Sequence, residues 1–179
     1  GGPMTSGHAS HQIGLDADIW MLPPSSLQLS RQQRENLSSV SVVANGGTAL
    51  SGNWTGAHMS IMRAAARDPR VERIFVDPVA KVAMCQMETG NRDWLRKIRP
   101  INNHDYHFHV RMNCPAGSMC QTPNPIPAGD GCAEAQEWIN IRIDPSRAQP
   151  STPDPDYRHP RTFRMSDLPS QCSTVASAP

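Results

Sequence analysis

Five of the seven histidines fall into two short groups, His8 with His11 and His104 with His107 and His109, separated by most of the chain. A lone H-x-H is as often a surface pair, or a pair bonded inside a fold, as it is a ligand set. Here the first group is followed by Asp16 and Asp18, and a carboxylate joined to imidazoles is a donor set for a divalent ion such as zinc. His11, Asp18 and His109 are the expected ligands, and three protein ligands leave a position for water. Zinc in such a site lowers the pKa of bound water to about 7 and polarises a carbonyl, which is hydrolytic chemistry. The attacking water needs a proton acceptor, and His107, on the same strand face as His109, is expected to supply it. His104 is expected to orient the water or stabilise the oxyanion. Asp16 stands as the reserve ligand, and His58 and His159 are expected to be ordinary surface histidines.

These residues need strands to carry them. From Leu15 to Met21 the sequence alternates, with Leu15, Ala17, Ile19 and Met21 on one face and Asp16, Asp18 and Trp20 on the other, the two-residue period of a strand. Seven residues separate His11 from Asp18, which would put them on opposite faces of a continuous strand, so the chain must bend between them, and Gly14 permits it. Residues 106–112 alternate again, with Phe108, Val110 and Met112 inward and His107, His109 and Arg111 outward. With the two polar faces turned to one cleft, the ligands converge. Residues 23–53 read as a surface connection with a short helix at 30–37 and a weak strand at 40–44. Met59, Met62 and Ala66 mark a helix over 54–68 that Asp68-Pro69 ends. A buried strand at 73–77 and a second helix at 79–87 follow. Beyond Cys114 the chain is rich in Pro, Gly and small polar residues, and 144–179 reads as a loosely ordered tail.

Composition narrows the class. At 179 residues and 19.6 kDa the chain fits one domain large enough to enclose a core beside a cleft. Its 17 basic and 16 acidic residues are scattered, without the basic block that draws nucleic acid or anionic lipid. The mean hydropathy is -0.52, and no apolar run approaches the roughly 20 residues of a membrane span. The five cysteines lack the paired C-x-x-C spacings of structural zinc sites, so disulfides, and with them an oxidising compartment, are preferred over buried thiols. An odd cysteine remains either way. No secretory signal precedes Gly1, so the start reads as processed or truncated.

Three stretches carry a resemblance: Ser6-Gly-His-Ala-Ser-His-Gln-Ile-Gly-Leu-Asp-Ala-Asp-Ile-Trp20, Asp93-Trp-Leu-Arg-Lys-Ile-Arg-Pro100 and His104-Asp-Tyr-His-Phe-His-Val-Arg-Met112. Residues 1 to about 138, with Asp130-Gly-Cys132, resemble the penicillin-insensitive murein endopeptidases, of the superfamily of lysostaphin-type peptidases, D-Ala-D-Ala metallopeptidases and hedgehog domains. The resemblance implies an α+β fold, a small antiparallel sheet flanked by helices. It implies a metallopeptidase domain over 1–143, lacking its N-terminal part, followed by a Pro-rich tail over 144–179. It also implies a periplasmic zinc D,D-endopeptidase acting on the D-alanyl to meso-diaminopimelyl cross-link of peptidoglycan, with zinc at His11, Asp18 and His109 and His107 as base. Cys85 would pair with Cys132, and Cys114 with Cys120. Relatives can hold a further metal with a histidine matching His8 and an Asp and a His from the next loop, where this chain has Asn45 and Thr48; one zinc is therefore expected. Relatives also extend upstream and there supply a cysteine for the one matching Cys172.

The sequence contains no G-x-S-x-G, S-x-x-K, H-E-x-x-H or phosphate-binding loop, so serine acylation by the penicillin-binding route is unsupported. Two alternatives stay open: a D,D-carboxypeptidase releasing D-alanine from a stem terminus, and an inactive, metal-stabilised fragment that binds the cell wall.

Overall fold

The computed structural model describes residues 11, 14–23, 26–118, 120, 125–149, 152, 155, 164–167 and 170–178. The chain divides into two compact units, Leu15–Ala148 and, as the second, Gly1–Gly14 with Gln149–Pro179.

The first unit runs β1 (Asp16–Trp20), α1 (Arg31–Asn36), β2 (Val43–Ala44), β3 (Ala49–Leu50), α2 (Gly56–Arg67), β4 (Val71–Val76), α3 (Pro78–Met87), β5 (Ile98–Pro100), β6 (His107–Met112) and α4 (Cys132–Ile143). Its main sheet has the order β1-β6-β4-β5, and β2 and β3 form a separate two-stranded ribbon. This is the expected α+β architecture. The pairs β1/β6 and β6/β4 are antiparallel, whereas the short β5 joins parallel to β4, as a strand reached through a helical crossover does.

One sheet face is apolar. Ile74 pairs with Val110 on one side and Ile98 on the other, and these pack with Val76, Phe108, Met59 and Met62 of α2, and Met84 of α3. A register shift between Val71 and Arg73 inserts Glu72 as a bulge, which is how Val71 and Ile74, three positions apart, both face the core.

The helices start on side chains suited to the task. Asp77 accepts the Val79 N–H at 2.9 Å and Pro78 takes the first helical position of α3. Thr55 caps α2 with His58 as reciprocal partner, and this corrects the surface placement expected for His58, which is 4% exposed. The Thr55 N–H donates to His58 Nδ1 at 3.0 Å, so Nε2 carries the proton and donates to the Met21 carbonyl at 2.7 Å. Thr55-x-x-His58 has the spacing of a capping box, with an imidazole where Glu or Gln is usual. That cap ties α2 to Met21, the residue that follows β1.

α4, which the sequence reading passed over, is fastened to α3. A disulfide joins Cys85 to Cys132, as the resemblance implied, and a second joins Cys114 to Cys120. Lys81 is fully buried and donates to the carbonyls of Leu95 and Asp130, each at 2.6 Å. Burial pushes its ammonium down to about 7, against the pull of Asp130. At the far end of α4, Arg142 donates to both carboxylate oxygens of Asp77, to the Gly47 carbonyl and to Asn102 Oδ1. One guanidinium thus holds α3, the turn at Asn45–Gly47 and the loop that leads into β6.

In the second unit the described residues include a short turn at Met165–Asp167 and helix α5 (Ser170–Ala176), which carries Cys172 without a disulfide partner. Among the described residues no helix is long and apolar enough to cross a membrane.

Candidate metal centre

The polar sheet face is built by strand register. Asp16, Asp18 and Trp20 of β1 lie opposite Arg111, His109 and His107 of β6, and Phe75 and Arg73 of β4 lie opposite His109 and Arg111. A slip of one residue would turn all of β1 over, and Met21, fully buried just beyond the strand with its N–H donating to the Tyr106 carbonyl at 2.8 Å, holds the register in place.

Asp18 Oδ1 lies 3.6 Å from His109 Nδ1 and 3.6 Å from His107 Nε2. The other ring nitrogen of His109, Nε2, lies 2.6 Å from Asp16 Oδ1. A carboxylate only accepts, so Nε2 carries a proton, and in the neutral ring Nδ1 turns its lone pair toward Asp18. A carboxylate oxygen and an imidazole lone pair facing each other at that distance are a donor set a shared cation can occupy. The donor chemistry of Asp18 and His109 therefore fits a divalent ion, and their ligand atoms lie within the 4.8 Å that a shared ion allows.

His104 completes the imidazole group. Its ring centroid is 4.7 Å from that of His107 and 5.9 Å from that of His109. Nδ1 donates to the Asn102 carbonyl at 3.0 Å, which leaves Nε2 as an acceptor on the neutral ring. Its backbone carbonyl accepts from the Asp77 N–H at 3.0 Å, so the cap of α3 and the Arg142 contacts fix this loop from behind. Phe75 stands edge-on to His109 with ring centroids 5.4 Å apart and gives the imidazoles an apolar wall.

Of the residues singled out by sequence, Asp18, His104, His107 and His109 come together in the first unit. His11 belongs to the other unit. Gly14, at φ +73°, donates its N–H to the His11 carbonyl at 3.3 Å. His8 and His159 lie outside the described residues. Asn45 and Thr48, the positions at which the resemblance would have placed further ligands, are engaged with each other, Thr48 Oγ1 donating to the Asn45 carbonyl at 2.8 Å. Asp16, the reserve ligand, gives its Oδ1 to His109 instead. Sequence reasoning also missed Arg142, because α4 went unread. The signal available for that helix was Ala135 and Ile139 at helical spacing after the Asp130-Gly131 turn.

The family model described as penicillin-insensitive murein endopeptidase matches residues 1–177. Proteins carrying that name are similar to this chain. The Haemophilus influenzae one is 39% identical over 165 residues, covering 91% of this chain and 56% of its own length. One from Klebsiella pneumoniae is 41% identical over 141 residues, covering 78% of this chain and 52% of the relative. One from Escherichia coli K12 is 39% identical over 181 residues, covering 98% and 61%. The chain thus spans little more than half the length of the relatives it matches.

Proposed function

The chain belongs to the penicillin-insensitive murein endopeptidase family, and we propose that it is a zinc-dependent D,D-endopeptidase hydrolysing the D-alanyl to meso-diaminopimelyl cross-links of peptidoglycan in the periplasm. The observation that carries the metal reading is the pair of opposed acceptors, Asp18 Oδ1 and His109 Nδ1, 3.6 Å apart. His11, from the motif His8-Ala-Ser-His11, supplies the third ligand in this reading. Zinc, when bound, lowers the pKa of a water molecule to about 7 and polarises the scissile carbonyl.

The side chains around it have separable tasks. His107 Nε2, beside Asp18, takes the proton of the attacking water and returns it to the leaving amine. His104 has its Nδ1 proton committed to Asn102, so its Nε2 accepts from the same water and fixes the line of attack. Phe75 keeps bulk water from the inner edge of the group. The chain has no S-x-x-K serine for a β-lactam to acylate, which agrees with insensitivity to penicillin. The two disulfides suit an oxidising compartment such as the periplasm. One zinc is expected, since Asn45 and Thr48 replace the loop ligands a second would use.

The test is digestion of purified cross-linked muropeptide dimers, read by mass. Conversion to monomers that EDTA abolishes supports the endopeptidase. Release of free D-alanine from a stem terminus would make it a carboxypeptidase. Retention on sacculi without cleavage, at full zinc occupancy, would make it a wall-binding module.

A further inference from the structure

Behind His109 the polar face continues as a line of alternating charges crossing three strands. Asp16 Oδ1 bonds His109 Nε2 at 2.6 Å, and Asp16 Oδ2 faces Arg111 Nη2 at 3.6 Å. Arg111 Nε faces Glu72 Oε2 at 3.8 Å, and Glu72 Oε1 accepts from Arg73 Nη2 at 2.7 Å. The Asp16 side chain has no exposed surface, and those of Arg111, Glu72 and Arg73 are 12, 19 and 10% exposed. Glu72 and Arg73 are consecutive and would face opposite sides of a regular strand; the bulge at Glu72 lets both reach Arg111's side.

Such a line is costly to bury, and the core gains nothing from it that apolar residues of similar volume would not give. Its geometry serves His109. A ring with one nitrogen held by a fixed carboxylate has one tautomer and one orientation, and its other nitrogen is the more basic for it. Asp16 Oδ2 is buried with no hydrogen bond among the described residues, so the Arg111 charge is what offsets it.

We infer that Asp16 is a positioning residue for the metal, fixing His109 so that Nδ1 is presented to the ion, and that Arg111, held by Glu72 and Arg73, locks Asp16 in place. This rests on the zinc reading above and replaces the expectation of Asp16 as a reserve ligand. It assigns a metal-tuning role to a line of residues of which only Asp16 touches a ligand.

The experiment is competition for Zn2+ alone between the protein and a chromophoric chelator. Four proteins are compared: the unaltered chain, Asp16→Asn, Arg111→Gln and, as a destabilised control away from this line, His58→Ala. Thermal unfolding of the metal-free proteins is recorded in parallel. Removing an outer partner of a metal-ligating histidine costs about 10- to 100-fold in affinity, so Asp16→Asn is expected to weaken zinc binding by that factor and Arg111→Gln by less. His58→Ala should keep the unaltered affinity despite its lower melting temperature. The Co2+-loaded Asp16→Asn protein should show shifted visible absorption bands, which loss of global stability does not produce. Should Asp16→Asn not fold, the weakened affinity of Arg111→Gln carries the test. Unchanged affinity in the folded variants overturns the inference and leaves the zinc reading standing. Failure of the unaltered chain to bind zinc overturns both.

Discussion

Asp18 and His109 are register partners across β1 and β6, with Oδ1 and Nδ1 3.6 Å apart and both acting as acceptors. Nothing in sheet stability calls for that opposition. In the neutral ring the His109 proton is on the far side, bonded to Asp16, so the near side offers a lone pair. A cation can be shared by that lone pair and Asp18, and the neighbouring imidazoles of His104 and His107 then stand where a proton must move.

Replacing either member of the pair should abolish metal binding. Asp18→Ala and His109→Ala are expected to lose more zinc affinity than the roughly 100-fold upper range for outer-shell changes, and to lose cleavage with it. Chelator competition measures the first and muropeptide digestion the second. Zinc affinity within tenfold of the unaltered chain would remove that residue from the ligand set.

His107→Ala separates proton transfer from metal binding. General acid–base catalysis contributes about 100- to 10,000-fold, so kcat should fall by that factor with zinc content unchanged and KM little altered. Cleavage at the unaltered rate would eliminate His107 as base and turn attention to the Nε2 acceptor of His104.

His58→Ala should act on stability alone. The variant loses the Thr55 and Met21 hydrogen bonds of a side chain 4% exposed, and leaving such partners unsatisfied costs about 1–3 kcal/mol. Denaturant unfolding of the zinc-free protein reads this directly. A midpoint equal to that of the unaltered chain would contradict the buried cap.

Sequence carried the metal residues further than it carried their surroundings. The two-residue period over His107–Met112 was legible because Phe108 and Val110 meet the core, whereas in Asp16–Trp20 it was legible from residue type alone, since Ala17 and Ile19 are exposed and only Met21, just beyond the strand, is buried. The pairing of these strands as neighbours, on which the meeting of Asp18 with His109 depends, is a tertiary fact that period alone does not contain. Asp16 and Asp18 were equivalent in sequence, sharing a residue type and a face; only the ring orientation of His109 distinguishes them. His58 looked like a surface residue on a helix because capping turns it inward through a local geometry that periodicity does not register. α4 was hidden because its buried positions are few, Ala135 and Ile139, and its attachment is made by a disulfide and by Lys81 from another helix.

Lys81 gives the fold a pH dependence of known sign. Its pKa is lowered from 10.5 to about 7 by burial, so between these values the unfolded chain binds more protons than the folded one. Stability contributed through this residue therefore rises with pH across that window. A neutral amine keeps two N–H groups for the Leu95 and Asp130 carbonyls. Measured from pH 7 to pH 10, roughly the window those pKa values bracket, the denaturation midpoint of the unaltered chain relative to Lys81→Met should climb. A constant difference between the two proteins would show that Lys81 keeps its ordinary titration in the fold.

Zinc titration into metal-free protein, with cleavage of a cross-linked muropeptide dimer followed at each addition, shows whether a single metal ion drives hydrolysis. A one-zinc endopeptidase gives no cleavage without metal and a rate that rises linearly and levels off at one equivalent of zinc. Cleavage by the metal-free chain, or none at any zinc concentration with the site filled, would contradict it.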